Sequence, residues 1–371
     1  MKAVVLVGGE GTRLRPLTFN TPKSMVPIAN RPFLEYMTEY LKGHGIDDII
    51  LTLCYLPERT QRYFGDGSNF GIKLTYAVED PPLGTAGAVK NVAEHLDETF
   101  FVFNGDIFTD IDLTAMMEFH RQRGSKATIA LTPVEDPTIY GVVETNAEGR
   151  VQCFIEKPRR DAVTTNMINA GAYILAPEVL SHIPKGLSFT FEQGLFPLLL
   201  EHGDPVYGYR SDAYWIDIGT PEKYLKLHHD LLTGRIIRSF PGERAGERIW
   251  VEEGSNIQPQ AELEGPVVMG RNCVIGSRAR VKGPCAIGQD CRVGEDSLIE
   301  GSVVWQNTHL SQGVSLKNCV IGENVVIGER TQVMEGCVLG NNVIVGSDQR
   351  IVQGTKVWPE EIHSSLKPTR R

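Results

Sequence analysis

The chain has 371 residues, 41% hydrophobic and 22% charged, with a net charge of −9; that length exceeds one ordinary core and suits two domains. An acidic balance with no basic stripe excludes a general nucleic-acid binder, and the absence of any run near about 18 apolar residues excludes a membrane span. The seven Cys are scattered without a CxxC pair, which argues against a zinc ribbon or a disulfide framework and suits a reducing cytoplasm.

Residues 1–235 alternate between strand and helix patterns. The run 2–7 reads as a buried strand, too short before Gly8-Gly9 to be a secretory leader. A helix is expected over 32–41, strands over 48–53 and 73–78, and a helix over 86–95. A short aromatic strand at 100–103, a helix at 113–121 and a strand at 127–131 follow. This rhythm predicts a Rossmann-like, mostly parallel sheet with helices on both faces. Ligands of such sheets sit beyond the carboxyl ends of the strands, where Gly8-Gly9-Glu10-Gly11-Thr12-Arg13 and Gly105-Asp106 fall.

After a linker over 236–252 the period changes. Apolar residues recur every six positions from Ile257 through Leu263, Met269, Ile275, Val281, Ile287, Val293 and Ile299 to Trp305, and again from Ile321 to Ile351. A six-residue period predicts a left-handed parallel β-helix over 253–356, with one flat face per hexapeptide. Cys285, Cys291 and Cys337 fall on its small inward positions and read as core hydrophobes. A loop or disturbed coil is expected between Trp305 and Ile321, where the phase breaks. The tail 357–371 ends in a basic stretch at 367–371 that reads as disordered.

Within the first half, Gly8-Gly9-Glu10-Gly11-Thr12-Arg13-Leu14-Arg15 is neither a Walker A loop nor a dinucleotide fingerprint. A Gly-rich turn alone commonly serves geometry, but Arg13, Arg15 and then Lys23 arrive within 15 residues, and a hinge needs no such cations. Asp106 and Asp217 each close an apolar strand, so they can converge on one sheet edge. Each could instead be a turn or capping residue, as Asp110 and Asp112 suggest. His228-His229 sits on a helix pattern and reads as solvated.

The stretch GGEGTRLRPLT with PKSMVPIANRP resembles the signature of sugar-1-phosphate nucleotidyltransferases. The resemblance continues through Leu83-Gly84-Thr85-Ala86-Gly87, Asn104-Gly105-Asp106, Tyr140–Glu144, Glu156-Lys157-Pro158, Asn169-Ala170-Gly171 and Trp215–Gly219, in the family's order. It implies an enzyme that joins a nucleoside triphosphate to a sugar 1-phosphate and releases pyrophosphate, with Mg²⁺ as cofactor. It further implies that Gly8, Gly9, Gly11, Thr12 and Arg13 hold the triphosphate, that Lys23 adds a second cation, and that Asp106 and Asp217 ligate the metal. Gly141, Glu156, Lys157, Asn169 and Gly171 would hold the sugar phosphate; alternatively these serve only the local backbone or face solvent.

The family loop that reads the base aligns with Glu79, Pro82 and Gly84. Guanine offers N1–H and N2–H₂ donors, which a carboxylate accepts; thymine and uracil place one N–H between two carbonyls and suit an amide better. Glu79 therefore favours GTP, and the resemblance is to mannose-1-phosphate guanylyltransferases, unless Glu79 faces solvent and backbone reads the base. The rivals are a glucose-1-phosphate thymidylyl- or uridylyltransferase and a non-catalytic regulatory relative, which need not keep Arg13, Lys23, Asp106, Lys157 and Asp217. The β-helix is expected to be structural and to support a homo-oligomer; an acyltransferase role would need a His between coils, and only His309 and His363 lie in or after the repeats.

Overall fold

The computed structural model describes residues 1–360 and, as backbone, the strand Ile362–His363; the tail 367–371 lies outside the described residues. By its contacts the chain forms two compact units: Met1–Glu10 with Leu34–Asp217, and Gly11–Phe33 with the chain from Ile218 on. Among the described residues, no helix is long and apolar enough to cross a membrane.

The first unit is built on a nine-stranded sheet. Its centre is β1 (Lys2–Leu6), whose Ala3, Val4 and Val5 are fully buried, as a strand covered on both faces requires. The strands β2 (Asp48–Leu53), β3 (Lys73–Val78) and β4 (Phe100–Asn104) complete a parallel set in the order β3-β2-β1-β4. Helices α1 (Phe33–Gly43), α2 (Pro57–Phe64) and α3 (Gly84–Asn91) lie on the connections. The chain builds outward from β1 to β3, then returns to lay β4 on the other side of β1. That reversal makes the β1/β4 border the switch point at which open sheets bind ligands.

Beyond β4 the sheet is mixed, not mostly parallel as the alternation predicted. The next elements are β5 (Ile107–Thr109), α4 (Leu113–Gln122), β6 (Ala127–Pro133), β7 (Gly141–Thr145), β8 (Val151–Glu156) and β9 (Met167–Leu175). After them come α5 (Phe196–Glu201), β10 (Val206–Arg210) and β11 (Trp215–Asp217). Strand β9 runs antiparallel to β4, β6 and β7, and β8 returns antiparallel beside β7. The 145–151 and 156–167 links are too short for a crossover helix, so the strands fold straight back.

In the second unit, α6 (Pro221–Leu232) is capped by Thr220, whose hydroxyl accepts from the Lys223 N–H. Its Tyr224, Leu227, His228 and Leu231 are all buried. His228 is thus a core residue and not a solvated one, because it shares the inward i, i+4 face of the helix with Tyr224. The repeats form a β-helix of three parallel sheets. All five of its cysteines are buried, and burial pushes the Cys285 and Cys319 thiols up to about 12, which keeps them protonated and inert.

Of the two expectations between Trp305 and Ile321, a loop or a disturbed coil, the second holds. The coils run on, but Ala286 pairs with Val303 and Val303 with Val320, a 17-residue step, whereas Val267 pairs with Cys285 and Val320 with Val338. Two coils are each one residue short, at corners carrying Gly301 (φ 58°) and Asn318 (φ 43°). Val304, not Trp305, therefore points into the prism, and Trp305 is buried outside it, donating Nε1–H to the Tyr224 hydroxyl at 2.9 Å.

His120 on α4 and His228 on α6 are both buried, and desolvation lowers each pKa to about 4. Below about pH 6.5 the unfolded chain takes up protons that the folded rings refuse, so stability falls on acidification toward pH 4. We expect a loss of about 1–2 kcal/mol per ring by pH 5. Urea unfolding at pH 7 and pH 5 measures it, and the loss should shrink in His120→Gln.

Candidate active site

The switch point is built from glycines and two aspartates. Leu6 of β1 pairs with Asn104 of β4, and the Gly105 N–H donates to the Leu6 carbonyl at 2.8 Å. A Cβ on Gly105 would stand 2.6 Å from that carbonyl and 2.3 Å from Val7 Cγ1, so only glycine lets the chain turn here. Gly8 and Gly9 leave β1 at the same edge, and Asp106 follows Gly105. β5 then pairs antiparallel with β11, with Ile107 opposite Asp217. This register sets Asp217 beside the residue after Asp106, so two carboxylates from distant parts of the chain share one corner. Neither is a helix cap: Asp112 caps α4, accepting from the Thr114 and Ala115 N–H groups, and Thr220 caps α6.

Asp217 is buried, and the Tyr140 hydroxyl donates to its Oδ2 at 2.6 Å. The Tyr140 carbonyl accepts from the Lys157 N–H at 3.0 Å, and its ring meets Trp215 edge-on. Trp215 in turn donates Nε1–H to the Ala170 carbonyl at 2.8 Å. Gly141 faces Glu156 in the β7/β8 register; a Cβ there would meet Glu156 Oε2 at 2.9 Å. Lys157, exposed and at φ 48°, holds its ammonium 3.3 Å from Glu156 Oε1. Gly171 (φ 72°) passes Asn104 so closely that a Cβ would sit 2.8 Å from Nδ2. Asn169 is held on both sides, accepting from the Gly171 N–H and donating to the Tyr173 hydroxyl.

Glu79 follows the outer strand β3 at its carboxyl end. It is buried, and its Oε2 accepts from the Leu83 N–H at 3.0 Å; burial raises its pKa. Pro82 is exposed, and Gly84 opens α3 at φ 71°, pressed against the Phe189 carbonyl. Thr85 donates to Glu192 Oε2 at 3.2 Å. Glu192 was not visible as a site residue from the sequence. Burial is the main cause of its raised pKa; the Glu156 carboxylate raises it further and the Lys157 ammonium opposes this. Its one signal is that it lies on a π-helical turn, Phe191–Leu195, a rare element common at functional sites.

Gly11, Thr12, Arg13 and Lys23 belong to the second unit. Gly11 (φ 63°) starts a 3₁₀ turn, Thr12–Leu14, and its carbonyl accepts from the Thr18 hydroxyl at 2.7 Å. Arg13 is exposed on that turn, and Lys23 opens another, Lys23–Met25. The loop is fastened to the β-helix. Asn30 donates to the Ile287 carbonyl at 2.8 Å, Asn341 donates to Thr21 Oγ1 at 3.4 Å, and Tyr224, itself held by Trp305, donates to the Pro27 carbonyl.

A family model described as nucleotidyl transferase matches residues 2–234. The chain belongs to the nucleotidyl transferase family. A second model, for the LbH domain of the EIF2B epsilon subunit, matches residues 246–351 of this transferase, in keeping with its left-handed β-helix. The transferase is 42% identical over 282 residues to a mannose-1-phosphate guanylyltransferase of Mycobacterium tuberculosis, covering 75% of this chain and 77% of the relative. It is 35% identical over 334 residues to a UTP–glucose-1-phosphate uridylyltransferase of Synechocystis, covering 85% and 86%. The crystal structure of HddC from Yersinia pseudotuberculosis complexed with GMP-PN aligns with TM-score 0.53 at 32% identity, over 61% of this chain and 97% of that one.

Proposed function

We propose that this nucleotidyltransferase moves a guanylyl group from GTP to mannose 1-phosphate, the work of residues 1–235, with 236–252 as linker and 253–356 as β-helix. The observation that carries this reading is the β5/β11 register, which sets Asp217 opposite Ile107, the residue after Asp106, at the switch point. An oxygen of the sugar phosphate attacks the α-phosphorus in line. The bond from the α-phosphorus to the α–β bridging oxygen breaks, and pyrophosphate leaves with the electron pair. Such a transfer needs positioning and charge neutralisation more than covalent chemistry.

Asp106 and Asp217 are hard oxygen donors of the kind Mg²⁺ prefers, and Asn104 Oδ1 is a buried acceptor with no hydrogen-bond partner, a donor set that fits such a cation. Bound there, Mg²⁺ would screen the phosphate charge. Tyr140 orients Asp217 through its hydroxyl. Arg13 and Lys23 neutralise the triphosphate, with Gly8, Gly9, Gly11 and Thr12 offering backbone donors. Lys157 meets the sugar phosphate; Glu156 and Asn169 take sugar hydroxyls, and Gly141 and Gly171 leave them room.

Glu79 selects the base. One oxygen holds the Leu83 N–H, and the other is left to accept from guanine. Glu79→Gln keeps an acceptor for Leu83 and turns the other end into a donor, so the loop survives while the reading changes. We expect its preference to move from GTP toward UTP or dTTP by about 10-fold or more. Unchanged relative rates across a triphosphate panel would sink this assignment. Because the Glu79 pKa is raised, GTP use should fall with pH through a value above the ordinary glutamate range, and this acid limb should vanish in the variant. The same panel, run with mannose and glucose 1-phosphates, decides against the second reading, a uridylyltransferase like the Synechocystis relative. Self-association through the β-helix is supported by the paired, exposed Val326 and Ile344 on one of its faces.

A further inference from the structure

A second cluster of ligating side chains lies in the first unit, at the other edge of its sheet. β9 runs antiparallel to both β4 and β6, and its Leu175 is opposite Phe100 and Ala127. The start of β6 is thus level with the start of β4, the end remote from Asp106. β10 runs parallel to β6, with Val206 opposite Ala127. Three short segments meet at this edge: the 3₁₀ helix Pro177–His182, the end of α5 at His202, and the turn into β10 that carries Asp204.

His182, His202 and Asp204 bring one ligand atom each within 4.8 Å of one another. His182 Nε2 lies 3.9 Å from Asp204 Oδ2, and the two imidazole rings are 5.1 Å apart between centroids. Lys126 donates to the other carboxylate oxygen, Oδ1, at 2.7 Å. The aspartate is thereby turned so that Oδ2 faces the histidines, the orientation an outer partner gives a metal-bound carboxylate.

We propose that His182, His202 and Asp204 form a binding site for a borderline divalent transition cation of the Zn²⁺ type, separate from the catalytic carboxylates. Two imidazoles and one carboxylate are the donors such ions take and Mg²⁺ does not. Bonds of about 2.1 Å set tetrahedral donors about 3.4 Å apart, so the cluster must close by roughly an ångström. His202 is exposed, and the closure is assigned to its side chain. Water completes the coordination. The Lys126 ammonium repels the cation even as it aims the carboxylate, so the affinity falls short of a zinc finger's. With Asp106 at the far edge of the sheet, the ion braces three chain segments and takes no part in transfer.

The test is calorimetric titration of Zn²⁺ into the chelator-stripped full chain, with excess Mg²⁺ present to fill hard-oxygen sites. One Zn²⁺ per chain is expected, with affinity at least about 10-fold weaker in His202→Ala and in His182→Ala. Zn²⁺ should raise the thermal midpoint of the parent chain but not of these variants. GTP turnover in Mg²⁺ should be unchanged in His202→Ala, whose side chain is at the surface. Failure to take up Zn²⁺, or equal uptake by the parent and both variants, overturns the proposal.

Discussion

Asp106→Ala is expected to lower turnover by about 10³-fold or more while leaving the thermal midpoint within a degree or two of the parent's. The backbone here is set by Gly105, which makes the turn, and by the β5/β11 register, which closes the corner. What the carboxylate supplies is negative charge next to Asp217, and with that removed a divalent cation has lost half of its proposed protein ligands. Arg13→Ala should fail equally badly, by about 10³-fold, since an arginine that neutralises transferring phosphate contributes on that scale. Steady-state pyrophosphate release measures both. Near-parental rates in either variant would remove the assignment of this corner as the reaction centre.

Trp305→Ala is expected to be the most damaging single truncation outside that corner. Trp305 is buried, and its Nε1–H holds the Tyr224 hydroxyl, which in turn holds the Pro27 carbonyl. Removing a large buried aromatic costs about 3–5 kcal/mol, here in the second unit. Because Pro27 follows Lys23 on the same loop, the loss should also reach catalysis. We expect KM for GTP to rise and kcat to drop together, whereas a purely structural role predicts fewer active molecules with unchanged KM. Asn30→Gly, which cuts the tie to the Ile287 carbonyl without straining the φ of 70° there, should reproduce the KM effect with far less loss of stability. Active-site titration alongside denaturant melts separates the two outcomes.

How much of this was readable beforehand depends on the range of the interaction concerned. Local patterns carried far: the six-residue period marks the β-helix, and apolar runs ending in Asp106 and near Asp217 mark the carboxylates. The pairing of Ile107 with Asp217 was out of reach, since a three-residue ribbon between segments a hundred residues apart leaves no period. His228 looked solvated because its neighbours His229 and Asp230 are polar, yet the i, i+4 face it shares with Tyr224 decides its burial. The phase break near Trp305 was visible; only counting residues per coil shows it to be two one-residue deletions. The ties from Thr21 and Asn30 to Asn341 and Ile287 were invisible, as nothing in a polar loop announces a partner so far along the chain.

Those ties bear on how the chain is made. The hydrogen bond between Thr21 and Asn341 spans 320 residues. At a ribosomal pace of about 5–20 residues per second, the segment that bears Arg13 and Lys23 emerges roughly 15 to 60 seconds before its last anchor is synthesised. The parallel strands around β1 can close in that interval, but the cation-bearing loop must wait for the terminal coils. A nascent chain should therefore acquire its central sheet well before it can turn over a nucleotide.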